Sequence, residues 1–174
     1  MVSPIESPRT TRKGTAPGDP VGRSSARLMA VQALYQMELM GATVARIVEE
    51  FVDYRLTGGD MEGASCAPAN KELFTGLVHG VASTTEELNM LISEVLPDQW
   101  SLKRVELILL LILQCGVYEL RSCMDVPPKV TITEYVDVAH SFYGGKEPGM
   151  VNAVLDHLAR ELRSQEMAVG KEQA

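Results

Sequence analysis

Glu106-Leu107-Ile108-Leu109-Leu110-Leu111-Ile112-Leu113-Gln114 is the most apolar stretch of the chain, and its reading decides the fold. Successive residues of a helix step around the axis, so seven apolar residues in a row leave no polar side. A helix that is apolar all round must be enclosed by other helices. The pattern opens after Ser101 and closes at Arg121, which predicts a central helix over residues 102–121. Leu107 to Leu113 is far shorter than the roughly 20 residues that a membrane span needs. The run therefore reads as the core of a soluble protein.

Working outward, apolar residues recur at helical spacing on both sides. Upstream, a first helix over residues 25–40 has Ser24 and Ser25 as candidate N-caps and Gly41 as its stop. A second carries Val44, Ile47, Val48, Phe51 and Val52 on one stripe, and the glycines and Pro68 of residues 57–69 mark a loop. A third stripe runs from Leu73 to Val81, a capping box follows from Ser83 to Glu86, and a fourth stripe from Leu88 to Leu96 ends at Pro97.

Downstream, Val126-Pro127-Pro128 forces an extended break, because proline disfavours helical geometry in the residue before it. A sixth helix then buries Ile132, Tyr135, Val136, Ala139 and Phe142, and Gly144-Gly145 ends it. Pro148 suits the first turn of a seventh, with Val151, Val154, Leu155, Leu158 and Leu162 inward. Val130-Thr131-Ile132-Thr133 has strand propensity, but a lone strand has no partner. The expectation is all-α: a single seven-helix bundle over residues 23–165, with a disordered basic arm over 1–22 and a flexible tail over 166–174. No repeat argues for a solenoid.

Charge divides the chain. Residues 1–27 carry Arg9, Arg12, Lys13, Arg23 and Arg27 against Glu6 and Asp19, a balance of +3 within a total of −7, which leaves −10 on the rest. Such a body repels a polyanion over most of its surface, so nucleic-acid contact must be confined to a local basic patch that includes the arm. The acidic body suits a basic protein partner. Cys66, Cys115 and Cys123 lack paired metal spacing and read as free thiols of a reducing compartment. With no apolar segment behind the N-terminal charges, the expected location is cytoplasmic.

Catalytic chemistry finds no support. His79, His140 and His157 fall on three separate expected helices, without the i, i+4 spacing of a metal-binding helix. Gly76-Leu77-Val78-His79-Gly80 lacks the Lys and Ser/Thr of a phosphate-cradling loop. Tyr118 and Glu119 could form an acid site, but such a pair more often satisfies neighbouring polar groups. The chain reads as a non-enzyme without metal or cofactor.

Four strings in order resemble the NusB family: Ala30-Val31-Gln32-Ala33-Leu34-Tyr35, Tyr118-Glu119-Leu120, Asp125-Val126-Pro127-Pro128-Lys129-Val130, and Val151-Asn152-Ala153-Val154-Leu155-Asp156. The likeness spans about residues 23–163 and implies a seven-helix fold and a role in antitermination of ribosomal RNA transcription. It also implies a pairing with NusE, a small-subunit ribosomal protein, to bind boxA-type RNA and join the RNA polymerase antitermination complex. Homodimers of such proteins would cover the RNA face.

The resemblance also names site residues. Relatives begin the first helix with an arginine cluster, and here Arg23, Ser24, Ser25 and Arg27 occupy that stretch, with both arginines expected at the surface. Tyr35 is a candidate for base stacking. At the start of the last helix, where relatives carry a Phe before Val-Asn, this chain has Met150, followed by Val151 and Asn152, with Lys146 as a phosphate contact. Two other readings stay open. One is an RNA-binding domain related to ribosomal RNA cytosine methyltransferases, whose cofactor domain of alternating strands and helices has no counterpart in this sequence. The other is a purely protein-binding helical module.

Overall fold

The structure, a computed structural model, describes residues 19–54, 68–97 and 100–169, which form seven α-helices and no strand. Helix α1 is Pro20–Met40, α2 Val44–Tyr54, α3 Lys71–Val95, α4 Leu107–Ser122, α5 Pro128–His140, α6 Glu147–Leu162 and α7 Ser164–Val169. The all-helical expectation holds, but the helices divide differently along the chain.

Helix α1 starts earlier than the serines implied. Asp19 caps it, its carboxylate accepting from the Gly22 N–H at 3.0 Å, and Pro20 fills the first turn, where no N–H is needed. Pro20 to Gly22, assigned to the arm by composition, are therefore helical, while residues 1–18 lie outside the described residues. Gly41 ends the helix with φ 60°, a left-handed conformation that glycine adopts without steric cost.

The third and fourth stripes are one helix, α3, bent at Thr84 (φ −126°, ψ 20°). The hydroxyls of Ser83 and Thr84 donate to the Gly80 carbonyl at 3.0 and 2.8 Å, and Thr85 donates to Val81 at 2.9 Å. Those bonds turn inward what the sequence presents as a cap, so the chain kinks without stopping.

The central helix starts at Leu107, five residues later than expected. Residues 101–105 instead form a separate turn, in which the Arg104 and Val105 N–H groups donate to the Ser101 carbonyl. From Leu109 onward α4 is the buried axis, packed against α1, α3, α5 and α6. Leu109, Ile112, Leu113, Val117 and Leu120 are enclosed, whereas Leu107, Ile108 and Leu110 in its first turn are half-buried. Where α3 crosses, a Cβ on Gly80 would lie 1.9 Å from Cζ of Tyr118, so only glycine lets that ring seat. Phe51 of α2 stacks on Phe74 of α3 at 5.7 Å between ring centroids.

The tail is ordered further than composition implied. Arg163 is buried and donates to the main-chain oxygens of Val126 at 2.6 Å and Met124 at 3.2 Å, and also to the Glu166 carboxylate at 2.7 Å. This guanidinium ties the proline break before α5 to α7, where Met167 is buried in the core. Residues 170–174 lie outside the described residues. None of the described helices is long and apolar enough to cross a membrane.

Candidate nucleic-acid interface

The start of α1 is held by a buried ionic knot. Arg27 is 2% exposed, and its Nε lies 3.0 Å and its Nη2 2.5 Å from the two carboxylate oxygens of Glu119, which is fully buried on α4. The Tyr135 hydroxyl of α5 donates to the same carboxylate at 2.9 Å, and Arg27 Nη1 reaches Glu134 at 3.0 Å. Burial opposes the charge on Arg27, but the hydrogen bond and the negative field of Glu119 outweigh it and raise its pKa. Burial, then the Glu119 charge, pushes the Tyr135 phenol well above its usual range. Burial does the same to the Cys115 thiol.

Along α1, three concavities follow one another, two of them against α5 and the third against the turn after α5 and the start of α4. The first, about 280 Å³, is lined by Arg23, Asp125, Pro127, Val130 and Glu134. The second, about 240 Å³, lies between Ser24, Ser25 and Leu28 on one wall and Glu134, Asp137 and Ser141 on the other. The third, about 320 Å³, is bounded by Gln32, Tyr35, Gln36, Leu39, Ile108 and Phe142. The track follows one face of α1 from its first turn to its last, about 30 Å at the rise of a helix.

Most of the candidate residues lie on or beside this track, but two do not have the expected exposure. Arg23 is partly exposed and only loosely paired, 3.9 Å from Asp125. Ser24 donates to Glu134 at 2.6 Å or to the Pro20 carbonyl at 3.0 Å, and Ser25 is half-buried beside it. Tyr35 is half-buried in the third concavity. Lys146 is exposed, its ammonium 5.1 Å from the ring centroid of Trp100.

Arg27, expected at the surface four residues from Arg23, is enclosed instead. The turn that aligns the two also carries Arg27 over α4, where Glu119 supplies the countercharge. Met150, placed where relatives carry a stacking aromatic, is 6% exposed and belongs to the core, so no base can stack on it. Asn152 is exposed.

Sequence reasoning missed Phe142, Gln32, Gln36 and Trp100. Phe142 fits the apolar stripe of its helix by spacing, yet it lies past the end of α5 in a turn and is 37% exposed. Its position just before Gly144-Gly145 was the available signal. Gln36 donates to Glu50 of α2 at 2.9 Å, which fixes its amide at the edge of the cavity. His79, His140 and His157 are exposed on three helices, and among the described residues no group of three potential ligands could hold a metal.

Comparison with known proteins agrees with this architecture. Residues 24–160 match the NusB family. The transcription antitermination protein NusB of Nitrobacter hamburgensis (strain DSM 10229 / NCIMB 13809 / X14) is 47% identical over 146 residues, covering 84% of this chain and 91% of that protein. The NusB of Bradyrhizobium diazoefficiens (strain USDA 110) is 46% identical over 148 residues, covering 85% and 89%.

Among solved structures, T. maritima NusB superposes with a TM-score of 0.68 at 26% identity, over 84% of this chain and 96% of that one. A chain of the structure described as "Crystal Structure of a Plectonemic RNA Supercoil" shares the fold with a TM-score of 0.67 at 23% identity, over 83% of this chain and 98% of that one. With the match covering most of the helical domain and relatives identical at nearly half of the aligned positions, the chain belongs to the NusB family of non-enzymatic transcription antitermination proteins.

Proposed function

We propose that this protein binds boxA-type single-stranded RNA of ribosomal RNA transcripts along the α1–α5 seam, together with the ribosomal protein NusE, as part of the RNA polymerase antitermination complex. The observation that carries the reading is the third concavity. Tyr35 and Phe142 flank it with accessible ring surface, and the amides of Gln32 and Gln36 stand at its edge. Unpaired bases are recognised in this way, by stacking on aromatic rings and by hydrogen bonds to their exposed edges. Arg23 at one end of the track and Lys146 near the other would hold phosphates, and Ser25 could donate to a phosphate oxygen.

Arg27 and Met150 serve this reading indirectly, by seating α1 and α6 on the core. Arg9, Arg12 and Lys13 precede α1 in the sequence and lie outside the described residues. Glu134 and Asp137 line the middle of the track and disfavour phosphates there, so affinity of the protein alone is modest. A basic partner that covers part of the acidic body would relieve that repulsion.

The test is a titration of labelled boxA-type RNA with this protein, with NusE, and with both. The reading predicts weak binding by each alone and binding by the pair at concentrations where neither alone suffices. Equal affinity for the pair and for NusE alone would contradict it.

A further inference from the structure

We infer that the corner formed by Trp100, Lys103, Arg104 and Lys146 is a second contact for the same RNA strand, taking the phosphodiester backbone as it leaves the aromatic concavity. The inference rests on the RNA-binding reading and adds a site to it.

Charge pairing is the first ground. Among the described residues, Arg23, Arg27, Arg121, Arg160 and Arg163 each have an acidic partner. Five exposed cations have none among the described residues: Arg46 and Lys71 stand apart, on α2 and at the start of α3, whereas Lys103, Arg104 and Lys146 lie around Trp100. In a body with a balance of −10, unpaired cations gathered in one place form a local positive field, and that field is the footprint a polyanion requires.

Geometry is the second ground. The Lys146 ammonium sits over the half-buried Trp100 ring at 5.1 Å, so the ring orders the cation without neutralising it. Lys103 and Arg104 follow in the turn built on the Ser101 carbonyl, within four residues of Trp100. The corner also joins the end of the track. Phe142 and Ile108 line the third concavity, and the next residue after Phe142, Tyr143, donates its hydroxyl to Glu106 at 3.1 Å, which clamps the start of α4 to the chain leading into Lys146. Glu106, which accepts that bond, and Glu147, which follows Lys146, are acids of this corner, so its three cations leave a balance of +1 among the described residues.

Trp100 is the sole tryptophan of the sequence, so its emission reports on this corner alone. The experiment, performed in the presence of NusE, uses an RNA oligomer long enough only for the α1–α5 seam and the same oligomer extended at the 5′ or the 3′ end. One of the two extensions is expected to change Trp100 emission and to tighten binding, while the seam oligomer does neither. For that extended RNA, Lys103→Ala/Arg104→Ala should lower the slope of log affinity against log salt by about 1.4, two phosphate contacts of a single strand. Its affinity for the seam oligomer should stay at the wild-type value.

If the seam oligomer binds and neither extension alters emission or affinity, the corner is not an RNA contact, although the RNA reading stands. If the double variant keeps the wild-type salt slope but loses affinity for NusE, the corner is a protein-binding surface and the inference is overturned. If no oligomer binds more tightly than it binds NusE alone, the RNA reading itself falls, and the inference with it.

Discussion

Arg27 on α1 and Glu119 on α4 form a buried two-point ion pair, with Nε and Nη2 at 3.0 and 2.5 Å from the two carboxylate oxygens. The contact joins the helix that carries most of the candidate interface to the helix that forms the core. Arg27→Ala would leave the Glu119 charge enclosed, with only the Tyr135 hydroxyl bonded to it, and breaking such a pair costs about 3–5 kcal/mol. Urea unfolding should show a loss of that size, whereas Arg23→Ala, at a partly exposed and loosely paired site, should change stability by less than about 1 kcal/mol. Replacing both partners, as Arg27→Met/Glu119→Leu, should cost less than the sum of the single changes, because no charge is then stranded. Equal and small effects of Arg23→Ala and Arg27→Ala would mean that the pair does not hold the fold.

Two tyrosines set an alkaline limit. Tyr135 is held well above its ordinary pKa by burial and by Glu119, and Tyr143 is pushed up to about 12 by burial and by its hydrogen bond to Glu106. Both phenols keep their protons in the folded state at pH values where the unfolded chain, with a tyrosine pKa of about 10, releases them. Unfolding then releases protons, so stability is fully present below pH ~10 and falls as pH rises above it. Melting temperatures measured from pH 8 to 11.5 should drop over the upper part of that range. Tyr135→Phe should flatten the drop while lowering stability at neutral pH, since a hydrogen bond to a charged group is lost. A wild-type melting temperature that is level to pH 11.5 would refute the assignment.

Most of the fold is legible in the sequence, because helical spacing alone reports which face of each segment is buried. Thr84 and Arg27 show where that legibility stops. At Thr84, a cap and a kink use the same hydroxyl residues, and only the carbonyls they meet decide between them. Arg27 reads as surface by residue type, and its burial depends on Glu119, 92 positions away in the sequence. Of the candidates that the sequence offers, Arg23, from the arginine stretch, and Tyr35, from a family string, line the concavities along α1. Phe142 was hidden because a residue just past a helix end can continue the apolar stripe in spacing while lying outside it in space. Met150 fails in the opposite sense, since its place in a family string says nothing of its burial.

Stacking in the third concavity predicts a specific loss. Tyr35→Ala and Phe142→Ala should each weaken boxA-type RNA binding by about 1–3 kcal/mol, as expected for one stacked base, and Tyr35→Phe should retain most of the affinity. Filter-binding or fluorescence titrations at fixed salt measure this. Wild-type affinity in both Ala variants would remove the stacking role.

Asp137 is exposed on α5 and lines the second concavity opposite Ser24 and Ser25. Asp137→Asn removes a negative charge from the path of the phosphates, so RNA affinity should rise several-fold at low salt and the gain should shrink as salt increases. Its melting temperature should not change. A loss of affinity would mean that the strand runs elsewhere.

The central claim, that RNA lies in the seam between α1 and α5, is tested most directly by photocrosslinking. Thiouridine-substituted boxA-type RNA would be bound in the presence of NusE, irradiated, and the attached peptides identified by mass spectrometry. The account predicts attachment within residues 20–40 and 139–146, with Tyr35 and Phe142 prominent and Met150 absent. Crosslinks confined to α2 and α3, or to Met150, would contradict it.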